Sequence, residues 1–257
     1  MKIITLSENT ARGDLGAEHG LSLYVEAQGL KFLFDFGASS LFCENALRLG
    51  VDISQVDFAV LSHGHSDHGG GIKSFLEINP HAKIYASPHA FEPHYNAASE
   101  YIGLDTDLAQ SSRFVFVDTE LQLDTGITVF NCNREPLHFP INDCGHTFNN
   151  SGALLPEDYR HEQYLLVEEH GKRILFSGCS HKGILNIIEW VKPSHLIGGF
   201  HFSKMPLGSE LEGYAHALNS FSSSYFTCHC TGTEQFEFMK SRMKGLNYLS
   251  TGDEITI

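Results

Sequence analysis

Positive charge is scarce in this chain. Its 257 residues include 17 lysines and arginines against 31 aspartates and glutamates, giving a formal charge of −14. A broad basic face for nucleic acid is therefore excluded. A few local cations or bound metals can still reverse the field around one small anionic molecule. No apolar run approaches membrane-spanning length. The opening Met1-Lys2-Ile3-Ile4-Thr5-Leu6 turns polar too soon for a signal peptide. The six cysteines are too few for a dense disulfide framework, and Cys179, Cys228 and Cys230 lie beside motif residues, so a reducing, cytoplasmic setting is expected. There is no repeat and no linker, and the length suffices for one large domain or two small ones.

Apolar residues and histidine are plentiful. Hydrophobic residues make up 42% of the chain, enough for a sizeable core and too many for a disordered protein. Sixteen histidines cluster near predicted strand ends, a distribution that metal binding explains better than surface decoration. The densest group is His63-Gly64-His65-Ser66-Asp67-His68, which follows the apolar run Phe58-Ala59-Val60-Leu61 and precedes Gly69-Gly70-Gly71. In an extended chain, residues two apart point the same way, so His63 and His65 can hold one ion from one side. The turn after them can swing Asp67 and His68 toward a second position. The glycines let backbone pack closely where the chain leaves the site.

The rest of the pattern alternates strands and helices. Residues 21–27, 31–36 and 58–61 read as strands, and residues 40–49, closed by Gly50, and 71–79, stopped by Pro80, as helices. Strands are predicted over 113–117 and 127–130, a hairpin over 163–168 and 173–176, and a strand over 194–199. Helices are predicted over 183–191, 210–221 and 233–244, with a closing strand at 255–257. Five prolines punctuate the stretch 88–165, whose loops are expected to frame a pocket. Phe91, Tyr95 and Tyr101 in that stretch are candidates to stack a flat ring.

Several later residues carry chemistry. Cys179 and His181, in Gly178-Cys179-Ser180-His181, follow a strand as the first motif does. Cys179 is either a thiolate ligand or a small buried residue at a tight turn. His229 lies between Cys228 and Cys230, which alternate with it and are expected to face away into the core. His201 ends another strand and is a candidate to contact substrate or relay protons. Asp35 is expected to orient a metal histidine rather than bind the ion. Glu18 and His19 precede the first core strand and are candidates to close over the site.

Taken together, these pieces resemble the metallo-β-lactamase superfamily. The resemblance rests on His63-x-His65-x-Asp67-His68 after an apolar strand, Asp35-Phe36-Gly37 ending a strand, Ile174-Leu175-Phe176-Ser177-Gly178, and the strand Tyr225-Phe226-Thr227-Cys228 delivering His229. It implies a single α/β domain over residues 1–257, an αββα sandwich of two mixed sheets flanked by helices, with metals at one edge between the sheets. Glu18-His19-Gly20-Leu21-Ser22, Gly178-Cys179-Ser180-His181-Lys182-Gly183-Ile184 and His229-Cys230-Thr231-Gly232 narrow the resemblance to one branch. That branch is named for 7,8-dihydropterin-6-methyl-4-(β-D-ribofuranosyl)aminobenzene 5′-phosphate synthase.

The resemblance implies two divalent ions, zinc by preference with manganese or iron as alternatives. His63, His65 and His181 would hold the first ion, with His146 and His161 as the alternatives to His181. Asp67, His68, Cys179 and His229 would hold the second. Asp67 and His201 would act in catalysis, and Glu18, His19 and His201 would contact substrate. The expected partner is a small molecule, a pterin or phosphate-bearing compound among the candidates, with a homo-oligomer admitted. The expected reaction is the synthase's condensation or hydrolysis of a small ester, lactone, thioester or phosphodiester. A metal-binding sensor with a vestigial site is the alternative of another class.

Overall fold

The computed structural model describes residues 1–141 and 144–257. Two seven-stranded sheets form the framework. The first runs, edge to edge, Glu254–Thr256, Lys2–Ser7, Ser22–Ala27, Leu30–Phe34, Phe58–Val60, Lys83–Ala86 and Phe114–Phe116. Its pairings are antiparallel up to Leu30–Phe34 and parallel beyond. The second runs Leu246–Tyr248, Ser224–Thr227, His195–Gly198, Lys172–Ser177, Tyr164–Glu169, Ile127–Phe130 and Glu120–Asp124. It is parallel through its first four strands and antiparallel through the rest. A three-stranded sheet of Ala153–Pro156, Thr147–Asn150 and His94–Tyr95 lies apart from both.

Side-chain alternation stacks these sheets into four layers. Phe32 and Phe34 point toward the second sheet, where they join Phe58, Val60, Val129, Leu165, Val167, Phe176 and Ile197 in a buried inter-sheet core. Leu33, between them, points the other way and packs with Phe36, Phe42, Phe75 and Ile84, under the helices Leu41–Arg48 and Ile72–Ile78. The outer face of the second sheet gives Tyr164, Leu175, Leu196 and Tyr225 to the helices Ile184–Val191, Ser209–Asn219 and Thr233–Lys240. The architecture is the αββα sandwich that the family resemblance implied. Strands buried on both faces read as near-continuous apolar runs, which is why Phe58–Val60 and Lys172–Ser177 stand out in the sequence.

Phe176 tests the inter-sheet contact. It is fully buried, and its ring centroid lies 5.5 Å from that of Phe34 and 6.5 Å from that of Phe32. Phe176→Ala should cost about 3–5 kcal/mol of stability, read as a lowered urea midpoint with an unchanged slope. A cost below about 1 kcal/mol would mean that the two sheets do not meet there.

Some boundaries differ from the sequence reading. The helix predicted over 233–244 ends at Lys240, where the chain turns and Met239 accepts N–H bonds from both Arg242 and Met243. The strands Lys2–Ser7, Lys83–Ala86 and Glu120–Asp124 and the small sheet were not predicted. The hairpin at residues 164–177 was predicted, and its turn is built by His170 and Gly171, both at positive φ.

Candidate metal centre

The parallel strands Phe58–Val60, Lys172–Ser177, His195–Gly198 and Ser224–Thr227 hand the chain to His63, Cys179, His201 and His229 respectively. Side chains therefore collect at the carboxyl ends of strands from both sheets, the usual place for a site in an α/β fold. A helical turn over Ser66–Gly69 follows His65 and brings Asp67 and His68 inward. Gly70 and Gly71 then pass so close to the carbonyls of Ala38 and Phe36 that a Cβ at either position would collide with backbone.

Hydrogen bonds fix which nitrogen His63, His68 and His229 present. Asp35, buried and at φ +64°, accepts the Ser62 N–H on Oδ1 at 2.7 Å. Its Oδ2 accepts the Ser62 hydroxyl at 2.7 Å and lies 2.7 Å from His68 Nδ1, which must therefore donate. With its proton given to Asp35, the Ser62 oxygen can only accept from His63 Nδ1, at 2.8 Å. Asn9 Oδ1 takes the His229 Nδ1 proton at 2.8 Å. In each neutral ring, Nε2 is left as a bare lone pair facing inward, the form that binds a metal.

Those lone pairs converge on Cys179. Its Sγ lies 3.2 Å from His68 Nε2, which is itself 3.2 Å from His229 Nε2. Ligand atoms of His63, Cys179 and His181 lie within 4.8 Å of one another, and so do those of His68, Cys179 and His229. Cys179 is thus shared by two buried triads. Asp67 Oδ2 lies 3.2 Å from His229 Nε2 and 3.8 Å from His68 Nε2, on the second triad's side. The ring of His65 lies 4.6 Å from that of His63 and 5.0 Å from that of His181, and His63 and His181 are 4.9 Å apart.

The residues present fit metal ions. Among the described residues, His63 Nε2 and both nitrogens of His181 are buried without a hydrogen-bond partner. Each such group costs about 1–3 kcal/mol if left bare. Burial and the neighbouring histidines hold His63, His65 and His181 well below the usual imidazole pKa, so they stay neutral. Burial pushes the Cys179 thiol up. Burial alone would lower His229, but Asp67 beside it raises it to about 9. Burial would raise Asp67, yet His68 and His229 hold its carboxyl well below the usual range. Loading metal therefore displaces the protons of Cys179 and His229.

Among the three candidates to join His63 and His65, only His181 lies within 5 Å of both rings. His161 lies beside His65, but its Nδ1 accepts the Gly64 N–H at 2.8 Å, so a neutral His161 carries its proton on Nε2. His146 stands farther out, 5.5 Å from His65, 5.7 Å from His181 and 6.0 Å from His201. The ring of His201 is 4.5 Å from that of His181, and its Nδ1 is 3.1 Å from Cys144 Sγ. Burial lowers the pKa of His201 to about 4. His19 stands exposed at the rim, with Nε2 3.4 Å from Asp67 Oδ2.

Three expectations are corrected. Glu18 does not reach the centre, because its carboxylate accepts from Ser7, the Ala38 N–H and Ser39. Cys228 is buried in the inter-sheet core as expected, but Cys230 is not turned away. The chain leaves the strand after Thr227 and His229–Thr231 form a tight turn, so the alternation ends. Cys230 Sγ lies 3.6 Å from the Cys179 carbonyl and accepts the His201 N–H at 3.2 Å. The candidate ring-stacking aromatics are also engaged elsewhere. Phe91 packs on Phe114, and Tyr95 on Tyr101, while Tyr159 lies parallel to His181 at 4.5 Å.

Sequence reasoning missed several supporting residues. Glu8 accepts the His229 N–H at 2.6 Å and the Tyr248 hydroxyl at 2.7 Å. Glu162 accepts the His181 N–H at 2.7 Å. His94 and Glu157 form a buried pair at 2.7 Å beside His65 and His161. The one local signal was Glu8-Asn9 directly after an apolar segment. A surface cavity of about 540 Å³ lined by Cys43, Leu47, Ile53 and Ile78 contributes none of these donors.

The family model of the metallo-beta-lactamase superfamily matches residues 15–148. An uncharacterized protein of Methanocaldococcus jannaschii is 30% identical over 241 residues, covering 88% of this chain and 89% of its own. The 7,8-dihydropterin-6-methyl-4-(beta-D-ribofuranosyl)-aminobenzene-5'-phosphate synthase of the same organism is 27% identical over 264 residues, covering 90% of this chain and 88% of its own. A crystal structure described as a metal-dependent hydrolase of the beta-lactamase superfamily superposes with a TM-score of 0.87 at 25% identity, over 100% of this chain and 99% of that one. With the sandwich, the histidine-rich strand ends and these matches in agreement, the chain belongs to the metallo-β-lactamase superfamily.

Proposed function

We propose that this protein is a two-metal hydrolase acting on a small ester, lactone, thioester or phosphodiester. The observation that carries the reading is Cys179, shared between two buried triads in which outside partners fix the tautomers of His63, His68 and His229. His63, His65 and His181 would hold the first ion and Asp67, His68 and His229 the second, and Cys179 would serve as a donor within reach of both groups. A thiolate among imidazoles and one carboxylate selects zinc over the harder manganese. When bound, such ions supply Lewis acidity, which polarises a carbonyl or phosphoryl group and acidifies water.

The chain's own residues do the rest. Most donors are buried, while Asp67 keeps 22% of its side chain exposed and His19 stands at the rim, so substrate enters past these two. His19 contacts the substrate there. His201, beside His181, contacts it from the opposite side and handles protons with Asp67. The structure described as a metal-dependent hydrolase supports this reading, with its near-complete overlap.

A second reading rests on the similarity to the synthase, which spans 90% of this chain. In that reaction a pterin would occupy the same mouth. One experiment separates the two. Protein purified without added metal is analysed by elemental mass spectrometry, then assayed on a panel of esters, lactones, thioesters and phosphodiesters and on the synthase's substrates. About two zinc ions per chain, with hydrolysis abolished by chelation and restored by zinc, is the expected result. Condensation without hydrolysis would favour the synthase, and no metal even after reconstitution would leave a binding protein on an enzyme's fold.

A further inference from the structure

Beyond the two triads lies a third group of histidines. One ring nitrogen each from His65, His94 and His161 lies within 4.8 Å of the others, and all three residues are buried. Among the described residues the Nε2 atom of each has no hydrogen-bond partner, although Glu157 Oε1 lies 3.7 Å from His161 Nε2. The rings of His94 and His161 stack at 4.0 Å, and His65 lies 5.6 Å and 5.1 Å from them.

The neighbours decide the protons. Glu157 Oε2 lies 2.7 Å from His94 Nδ1, so Nδ1 donates and His94 Nε2 is an acceptor. The Gly64 N–H occupies the His161 Nδ1 lone pair, so His161 Nε2 is a donor. His65 completes the set when it binds the first ion through Nδ1, because its proton then sits on Nε2. Two donors and one acceptor match the two lone pairs and one hydrogen of a water molecule. The spacing allows this, since the three ligand atoms are at most 4.8 Å apart and a point central to them lies within about 2.8 Å of each, in hydrogen-bond reach. A zinc ion would need the His161 Nε2 proton removed, which the Gly64 N–H held on Nδ1 opposes.

Resting on the metal-centre reading above, we infer that a buried water joins His65 Nε2 to His94 and His161, and that the Glu157–His94 pair acts through it as a positioning device for the first ion. Glu157 fixes the His94 tautomer, His94 accepts from the water, and the water accepts the His65 proton. The His65 ring is held with Nδ1 toward His63 and His181. The relay is two residues deep, and its carboxylate sits in the segment before His161, far from the motif in sequence.

Glu157→Gln tests this without changing volume. Glu157 Oε1 accepts the Tyr159 N–H at 3.2 Å, which keeps the amide carbonyl on that side and turns the amide NH₂ toward His94 Nδ1. His94 must then accept there, and its proton moves to Nε2, where the acceptor is lost. His94→Phe removes the acceptor outright and is the second variant. Zinc affinity at each position is measured by chelator competition, with metal stoichiometry on wild type and both variants. The cobalt-loaded protein is examined by NMR for the exchangeable His65 Nε2 proton.

Wild type should hold two ions and show that proton exchanging slowly with D₂O. Both variants should bind the first ion about 10–100-fold more weakly, keep the affinity of the second, and exchange the proton faster. Unchanged affinities in both variants would overturn the relay while leaving the two-metal centre standing. A third zinc ion in wild type, lost in the variants, would make the pocket a metal site instead. A wild type that binds no metal at all would remove the centre itself, and the relay with it.

Discussion

Cys179→Ser should bring bound zinc down from about two ions per chain toward one and lower turnover by at least about 100-fold. Losing a residue that merely supports a ligand costs 10–100-fold in metal affinity, so losing a donor shared by two triads costs more. Cys179 Sγ stands 3.2 Å from His68 Nε2 and belongs with His63 and His181 as well as with His68 and His229. Serine fills nearly the same volume, but its hydroxyl does not ionise readily and is a hard donor. The fold should therefore survive, with a melting temperature within a few degrees of wild type, while the site loses its soft ligand. Elemental mass spectrometry with chelator competition reads the effect. Iron or manganese content unchanged by the substitution would make Cys179 a packing residue and overturn its role as a shared donor.

The parts of the site that the sequence revealed are those written in one short stretch. His63 and His65 sit two apart after an apolar strand, and Asp67 and His68 follow within one turn, so strand periodicity alone brings them together. Cys179, His181 and His229 were visible because they follow apolar strands in the same way. Of the partners that fix the histidine tautomers, Asp35 was foreseen as orienting a metal histidine, and the rest were hidden. Asn9 meets His229 across 220 residues, and Glu157 meets His94 across 63, through contacts that no local pattern encodes. Cys230 was misjudged because alternation was extended past Thr227, where the backbone turns. Buried strands such as Phe58–Val60 were legible as apolar runs, while their stacking into layers came from the family resemblance. Ala153–Pro156 was not, because all four residues are exposed and lack any alternation.

Asp35→Asn should reach further than its size suggests. The substitution keeps the volume, and asparagine tolerates the φ of +64° at this position. The Ser62 backbone N–H cannot turn away, so the amide carbonyl stays on it and the amide NH₂ takes the place of Oδ2. That group then donates toward both the Ser62 hydroxyl and His68 Nδ1, where Oδ2 accepted from both at 2.7 Å. His68 must accept at Nδ1, and its proton moves to Nε2, into the 3.2 Å spaces before Cys179 and His229. The Ser62 hydroxyl, without its acceptor, turns its hydrogen to His63 Nδ1, and the His63 proton also moves to Nε2. One amide thus inverts two metal-facing histidines. Zinc affinity should fall by at least about 100-fold at the second position and about 10–100-fold at the first. Stability should drop by only about 1–3 kcal/mol. Chelator competition reads the affinities, and ¹⁵N NMR of the imidazoles reads the tautomers directly. If both rings keep their protons on Nδ1 and zinc binds as before, then Asp35 serves only to hold the strand end at Ser62, and the tautomers are set by the ions themselves.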